Sequence, residues 1–126
     1  MIIERVLDQQ RCEHLTDYEA RGGGQGLSDA QAVEPAAVIA TITDSGLRGR
    51  GGAGFPTGVK WQTAWDASAP SGFAGSIPVV VNAAEGEPGS FKDRELIRVN
   101  PFKVLEGALI AATVIGATEI IVALKA

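Results

Sequence analysis

One cysteine and one histidine are all that the 126 residues contain of those types. With Cys12 alone there is no intramolecular disulfide, and a four-thiolate iron–sulfur cluster cannot be built from this chain unaided. Cys12 and His14 form a Cys-x-His pair, but two ligand types at i and i+2 fit an ordinary polar segment better than a metal site. No metal ligands are assigned. Basic residues are also scarce: 11 Lys and Arg against 15 Asp and Glu leave a net charge of −4. Nucleic-acid binding needs a basic face, so it is disfavoured. The longest apolar run, near the C-terminus, is interrupted by Thr113, Gly116, Thr118 and Glu119. That excludes direct membrane insertion through it. Met1–Arg5 lacks a basic segment followed by an apolar one, so the expectation is a cytoplasmic protein, peripheral to a membrane complex at most.

Glycine, in contrast, is plentiful. Six of the sixteen residues from Ser45 to Lys60 are glycine, interspersed with Arg48, Arg50, Phe55, Pro56 and Lys60. A flexible spacer would favour Ser and Gly and needs neither two arginines nor a phenylalanine. Glycine lets a backbone approach a flat or phosphorylated ligand closely, and successive N–H groups make an anion-binding concavity. Gly49–Gly54 satisfies the Gly-x-Gly-x-x-Gly pattern in letters. The dinucleotide fingerprint also needs a strand directly before it and a helix opening on it. Here the preceding segment reads as helix, so that assignment fails. Gly58-Val59-Lys60 likewise breaks the Gly-Lys-Ser/Thr ending of a phosphate-binding P-loop.

The remaining elements follow from caps and periodicity. Ile2–Leu7 suits an edge strand or a helix start. Thr16-x-x-Glu19 has the capping-box form, with Gly22–Gly24 ending a short helix. Gln25–Val33 reads as loop. Pro35 opens a helix with Val38, Ile39 and Ile42 as its stripe, and Gly46 ends it. Lys60–Ala67 is a further short helix whose Trp61 and Trp65 suit core packing. Ser68–Ser76 is expected to be surface loop. Ile77–Val81 and Thr118–Leu124 read as strands buried on both faces. Between them Asn100-Pro101 caps a helix carrying Leu105, Ala108, Leu109 and Ala112, stopped by Gly116. Strand, helix, strand predicts a right-handed parallel crossover in an α/β, Rossmann-like parallel sheet. Two strands cannot cover both faces of a sheet, so the chain reads as the N-terminal part of a larger α/β domain.

Asn82 ends the first strand, where open α/β sheets bind ligands, and its amide both donates and accepts. Glu85 and Glu87 follow as acceptors for hydroxyl or amide groups. On residues alone, a ligand loop and an acidic surface turn fit Asn82–Glu87 about equally. For Lys92–Glu95, with its alternating charge, the surface turn fits better.

Two stretches together carry more: Ser45–Trp61, with Arg-Gly-Arg-Gly-Gly-Ala-Gly-Phe-Pro-Thr-Gly-x-Lys-Trp inside it, and Val81–Arg94, with Asn-Ala-x-Glu-Gly-Glu-Pro-Gly-x-Phe-Lys-Asp-Arg. From about Leu15 to its end the chain resembles the NADH-oxidising, F-type flavoprotein subunit of respiratory complex I and its relatives in NAD-linked hydrogenases and formate dehydrogenases. Asp17-Tyr18 before Ala20–Gly23 resembles that family as well. The resemblance implies residues 1–34 as an N-terminal extension and 35–126 as the N-terminal part of an FMN- and NADH-binding domain. It implies that Gly49, Arg50, Gly51, Lys60, Asn82 and Glu85 hold FMN. Gly52, Ala53, Phe55 and Glu87 fall where NADH is held, with Phe55 stacked on adenine. No catalytic side chain is implied, because the flavin carries the redox chemistry. The implied activity is hydride transfer from NADH to FMN, with electrons passed on to iron–sulfur subunits and a quinone-type acceptor. The 4Fe–4S centre implied by the family has no ligands on this chain, and the chain alone is expected to be inactive. Ala84 stands where the family has Asp, and Thr63 where it has an aromatic residue. A non-catalytic remnant or assembly module, or a bifurcating or ion-pumping relative, is the competing reading.

Overall fold

The computed structural model describes residues 7–68 and 77–125. Among these described residues, six helices and two strands follow in the order α1 (Leu15–Ala20), α2 (Gln25–Gln31), α3 (Pro35–Asp44), α4 (Thr57–Ser68), β1 (Val79–Ala83), α5 (Lys92–Val99), α6 (Pro101–Ile115) and β2 (Ile120–Leu124). The strands pair in parallel, Val79 opposite Ile120 through Ala83 opposite Leu124. The architecture is thus mixed α/β with a small parallel sheet, part of a Rossmann-like layer. The expectations for Ile2–Val6 and for residues 69–76 lie outside the described residues.

Helix α6 organises the chain. Asn100 accepts from the Lys103 N–H at 3.1 Å, Pro101 occupies the first turn, and Gly116 closes the helix at φ 69°. Its inward residues Ala108, Ala112, Val114 and Ile115 are buried. It packs against α2, α3, α4 and α5 and lies against both strands. Ala30, Val38, Ile39, Val114 and Ile115 form the core, with Ile42, Trp61 and Trp65 packed on it. The tryptophans serve packing, as their spacing predicts.

Four expectations are corrected. Helix α1 starts at Leu15 with His14 as its cap residue, and Thr16 makes no capping bond. Residues 25–31 are helix α2 rather than loop. The acceptor for its first turn comes from α6: the Glu106 carboxylate takes the N–H groups of Gly24 and Leu27, each at 2.9 Å. Lys92–Val99 is helix α5, not a surface turn. Finally, neither strand is buried on both faces: β1 is covered on one face, while β2 exposes Ile121 on one face and Val122 and Leu124 on the other. Burial alternates along β1, and Val80 is 56% exposed, as are Ile121, Val122 and Leu124 to similar degrees. Alternation of this kind marks a half-buried sheet.

Candidate functional site

The glycine loop leaves the end of α3 and returns to the start of α4. Its neck is a short antiparallel ladder: Thr57 N–H donates to Leu47 C=O at 2.9 Å, and Gly49 N–H donates to Phe55 C=O at 2.8 Å. Arg48 and Pro56 are bridge partners. The Arg48 guanidinium donates across the neck to Gly54 C=O at 3.0 Å. The stretch between is bare. Nothing lies within 4 Å of where a Cβ would sit on Gly51, Gly52 or Gly54. Gly52 also holds φ 102°, a conformation that other residues rarely adopt. Neither fingerprint context is present: the loop is preceded by α3, and β1 lies downstream.

The acidic loop begins where β1 ends. Asn82 accepts the Ala84 N–H through Oδ1 at 3.1 Å, and Glu85 N–H donates to Ala83 C=O at 3.1 Å. Among the described residues, Asn82 Nδ2 has no hydrogen-bond partner. The Glu85 Oε1 atom accepts from the Ser90 hydroxyl at 2.8 Å and from Asp93 N–H at 3.3 Å. Partial desolvation pushes its carboxyl pKa up. Hydrogen bonds from Ser90 and from the backbone of Asp93, Arg94 and Lys92 outweigh that and hold it below the usual range. Phe91, at the cap position of α5, offers no side-chain acceptor, so Glu85 satisfies part of that helix start from upstream.

The two loops meet. Arg50 and Gly51 share a cleft of about 180 Å³ with Asn82, Ala84, Glu85, Gly86 and Glu87, and Ser90, Lys92 and Asp93 complete the lining. Of the residues singled out in the sequence, five are brought together: Arg50, Gly51, Asn82, Glu85 and Glu87. Gly49, Gly52, Ala53, Phe55 and Lys60 do not line the cleft. Gly49 is part of the loop's neck, Phe55 is 54% exposed, and Lys60 is exposed on the first turn of α4. The Arg50 guanidinium has no ion-pair or hydrogen-bond partner among the described residues. Arg48, Ser90 and Asp93 were missed as contributors. Ser90-Phe91-Lys92-Asp93 has the Ser-x-x-Asp form of a helix start, the one local signal that pointed to them.

The donor set suits a flavin mononucleotide. An unpaired guanidinium and bare backbone N–H groups match a phosphate. An amide that can donate matches a polar ring edge or a polyol chain. The volume matches only part of such a ligand, since closed pockets for molecules of that size run to roughly 300–1,000 Å³. A larger apolar groove of about 380 Å³ lies elsewhere, between α1–α2 and α6, and holds none of this chemistry. No group of three or more His, Cys, Asp or Glu suited to a metal occurs among the described residues, and Cys12 is buried. No helix among them is long and apolar enough to cross a membrane.

A glycine loop and an acidic loop facing each other at the carboxyl end of a parallel sheet define a nucleotide-binding α/β unit. Residues 42–126 match the family model described as the Nuo51 FMN-binding domain, and the chain belongs to that family. It is 40% identical over 98% of its length to the F-type subunit of an NADH-quinone oxidoreductase from Streptomyces coelicolor. It is 48% identical over 79% of its length to the alpha subunit of the NAD-reducing hydrogenase HoxS from Cupriavidus necator. The chain spans 26% of the first of these relatives and 16% of the second. Among solved structures, the NAD+-reducing [NiFe]-hydrogenase in its air-oxidised state superposes with a TM-score of 0.67 at 34% identity. That superposition covers 90% of this chain and 19% of the other.

Proposed function

We propose that this chain supplies the glycine-loop side of an FMN site in an NADH-oxidising flavoprotein subunit, with residues 35–126 as the N-terminal part of that domain and 1–34 as its extension. The observation that carries this reading is the shared cleft, in which an unpaired Arg50 and the bare Gly51 stand against Asn82. Gly49, Gly51 and Arg50 hold the phosphate end, and Lys60 adds positive charge from α4. Asn82 orients the flavin's polar edge, and Glu85 shapes the wall beside it. Gly52, Ala53 and Phe55, on the part of the loop outside the cleft, receive NADH, with Phe55 stacking on adenine and Glu87 accepting from a ribose hydroxyl. FMN held by Gly49, Arg50, Gly51, Lys60 and Asn82 would supply the redox chemistry, two-electron acceptance of hydride from NADH and one-electron delivery through iron–sulfur partners toward a quinone-type acceptor. The chain's own residues bind, orient and keep the two nucleotides adjacent.

The exposed apolar side chains of the sheet, Val80 and Ile121 on one face and Val122 and Leu124 on the other, support a site completed by further polypeptide. The test is optical. In its host assembly the protein binds FMN and gains a blue absorbance that NADH bleaches. A folded assembly that stays colourless in excess FMN contradicts the reading. The 126 residues alone bind FMN weakly, and tight stoichiometric binding by them would contradict the claim that contacts come from elsewhere. Ala84 and Thr63 are the only observations that favour a non-catalytic module or a bifurcating relative, and retained NADH-bleachable flavin rules out the first.

A further inference from the structure

The acidic loop has little to hold it. None of its residues from Ala84 to Phe91 is buried, and Phe91 is 60% exposed. Among the described residues its backbone bonds are few and local: Ala84 N–H to Asn82 Oδ1 and Glu85 N–H to Ala83 C=O, each at 3.1 Å, Ser90 N–H to Glu87 C=O at 3.2 Å, and Glu95 N–H to Phe91 C=O at 3.0 Å. The neighbouring helix α5 has no buried residue and no side-chain cap of its own. Against this stands one polar junction. Glu85 Oε1 accepts from both the Ser90 hydroxyl and the Asp93 N–H, joining the start of the loop to its end and to the first turn of α5. The Glu87 carboxylate lies within the segment so closed, lines the cleft, and has no hydrogen-bond partner among the described residues.

We propose that Ser90 is a positioning residue: its bond to Glu85 closes the acidic loop and thereby fixes where Glu87 stands for the ribose of NADH. The proposal rests on the NADH reading of the cleft given above. An anionic acceptor makes this hydrogen bond stronger than one between neutral groups. Without it the loop samples open forms, and a ligand that needs the closed form binds more weakly in proportion to the closed fraction. Flavin contacts on the glycine loop and Asn82 do not pass through Ser90. The effect therefore falls mainly on NADH binding, and flavin content, which Ser90 reaches only through the wall residue Glu85, changes less.

The experiment compares Ser90→Ala and Ser90→Thr with the wild type in the FMN-loaded host assembly, using NADH with ferricyanide as acceptor. Ser90→Ala raises KM for NADH roughly three- to tenfold while kcat and bound flavin stay within about twofold, the range set by losing part of the closed population. Ser90→Thr, which keeps the hydroxyl, restores KM. Amide hydrogen exchange is read in parallel on the protein without nucleotide. Ser90→Ala accelerates exchange over residues 86–93, and Ser90→Thr does not. Unchanged exchange in Ser90→Ala overturns the tie, and changed exchange with an unchanged KM overturns its role in placing Glu87. Should the wild type fail to oxidise NADH, the functional reading falls, and hydrogen exchange still decides whether Ser90 holds the loop.

Discussion

The glycines of this chain use the missing side chain in two opposite ways, packed in one set of places and open in another. Near α1, Gly23 lies against the Tyr18 ring so closely that a methyl group there would overlap it. In α4, Gly58 is buried against Thr43, and a Cβ would come within 3.0 Å of the Thr43 Cα as well as onto its side chain. These glycines are filled from within the protein. Gly51, Gly52, Gly54, Gly86 and Gly89 have nothing within 4 Å of the same position. Glycine demanded by packing and glycine facing open space are distinct signatures. At Gly51 and Gly86 the second kind lines the cleft and leaves room for something that is not protein, whereas Gly22, Gly24, Gly46 and Gly116 are open at turns and helix ends where a positive φ accounts for them.

Substitutions can sharpen that contrast. Gly58→Ala forces α3 and α4 apart and costs about 1–3 kcal/mol of stability, as overpacking does. A urea midpoint unchanged from wild type would show that the helices separate freely. Glu106→Gln costs a comparable, slightly smaller amount, about 1–2 kcal/mol, because a carboxylate serving three donors is lost. Tyr18 O–H donates to it along with the N–H groups of Gly24 and Leu27.

The pH dependence of that second effect has a definite sign. Desolvation pushes the Glu106 pKa up, but the Tyr18 hydroxyl and the N–H groups of Gly24, Leu27 and Gly26 outweigh it, so the folded value lies below the ordinary carboxylate range. The unfolded chain then binds the proton first. Stability from this group is complete above the unfolded value and is lost as pH falls through the folded one. Thermal melts of wild type and Glu106→Gln should therefore begin to approach each other as pH falls below about 4, near the ordinary glutamate value, and meet only below the lowered folded value. Melts that stay equally separated there would remove Glu106 from the account. Burial and the neighbouring Glu106 carboxylate raise the Tyr18 phenol, which keeps it a donor throughout.

The smallest stability effect belongs to the cleft. Gly51→Ala changes stability by no more than about 0.5 kcal/mol, as expected for a surface position with free space. It weakens FMN binding nonetheless, because the new methyl occupies the ligand's side. A calorimetric melt beside a flavin titration separates the two effects. A large loss of stability would place Gly51 with Gly23 and Gly58.

Where the chain could be read from its sequence, the cause is local. Pro35, Asn100-Pro101 and Gly116 fix helix ends through their own backbone chemistry, and all three act where the sequence puts them. Helices α2 and α5 were not legible because their starts are served from elsewhere, by Glu106 and Glu85. Gln25–Gln31 offers only Leu27 and Ala30 to the interior, too little for a periodic stripe. The two stretches that form the cleft were visible as motifs, and the family match over residues 42–126 agrees with the resemblance they carry. Their meeting at Arg50 and Asn82 was not visible, since it depends on how α4 and β1 are packed around α6. Ser90 escaped notice because its partner lies five residues back rather than in the helix it precedes.

The most direct test of the cleft as the flavin side of this chain is residue-resolved NMR of the 126 residues titrated with FMN, which reports weak binding as readily as tight. Amide shifts at Arg50, Gly51 and Asn82–Glu87, with none at Tyr18–Gly24, are the predicted result. Shifts confined to the α1–α2 groove, or absent from both loops at saturating FMN, would contradict it.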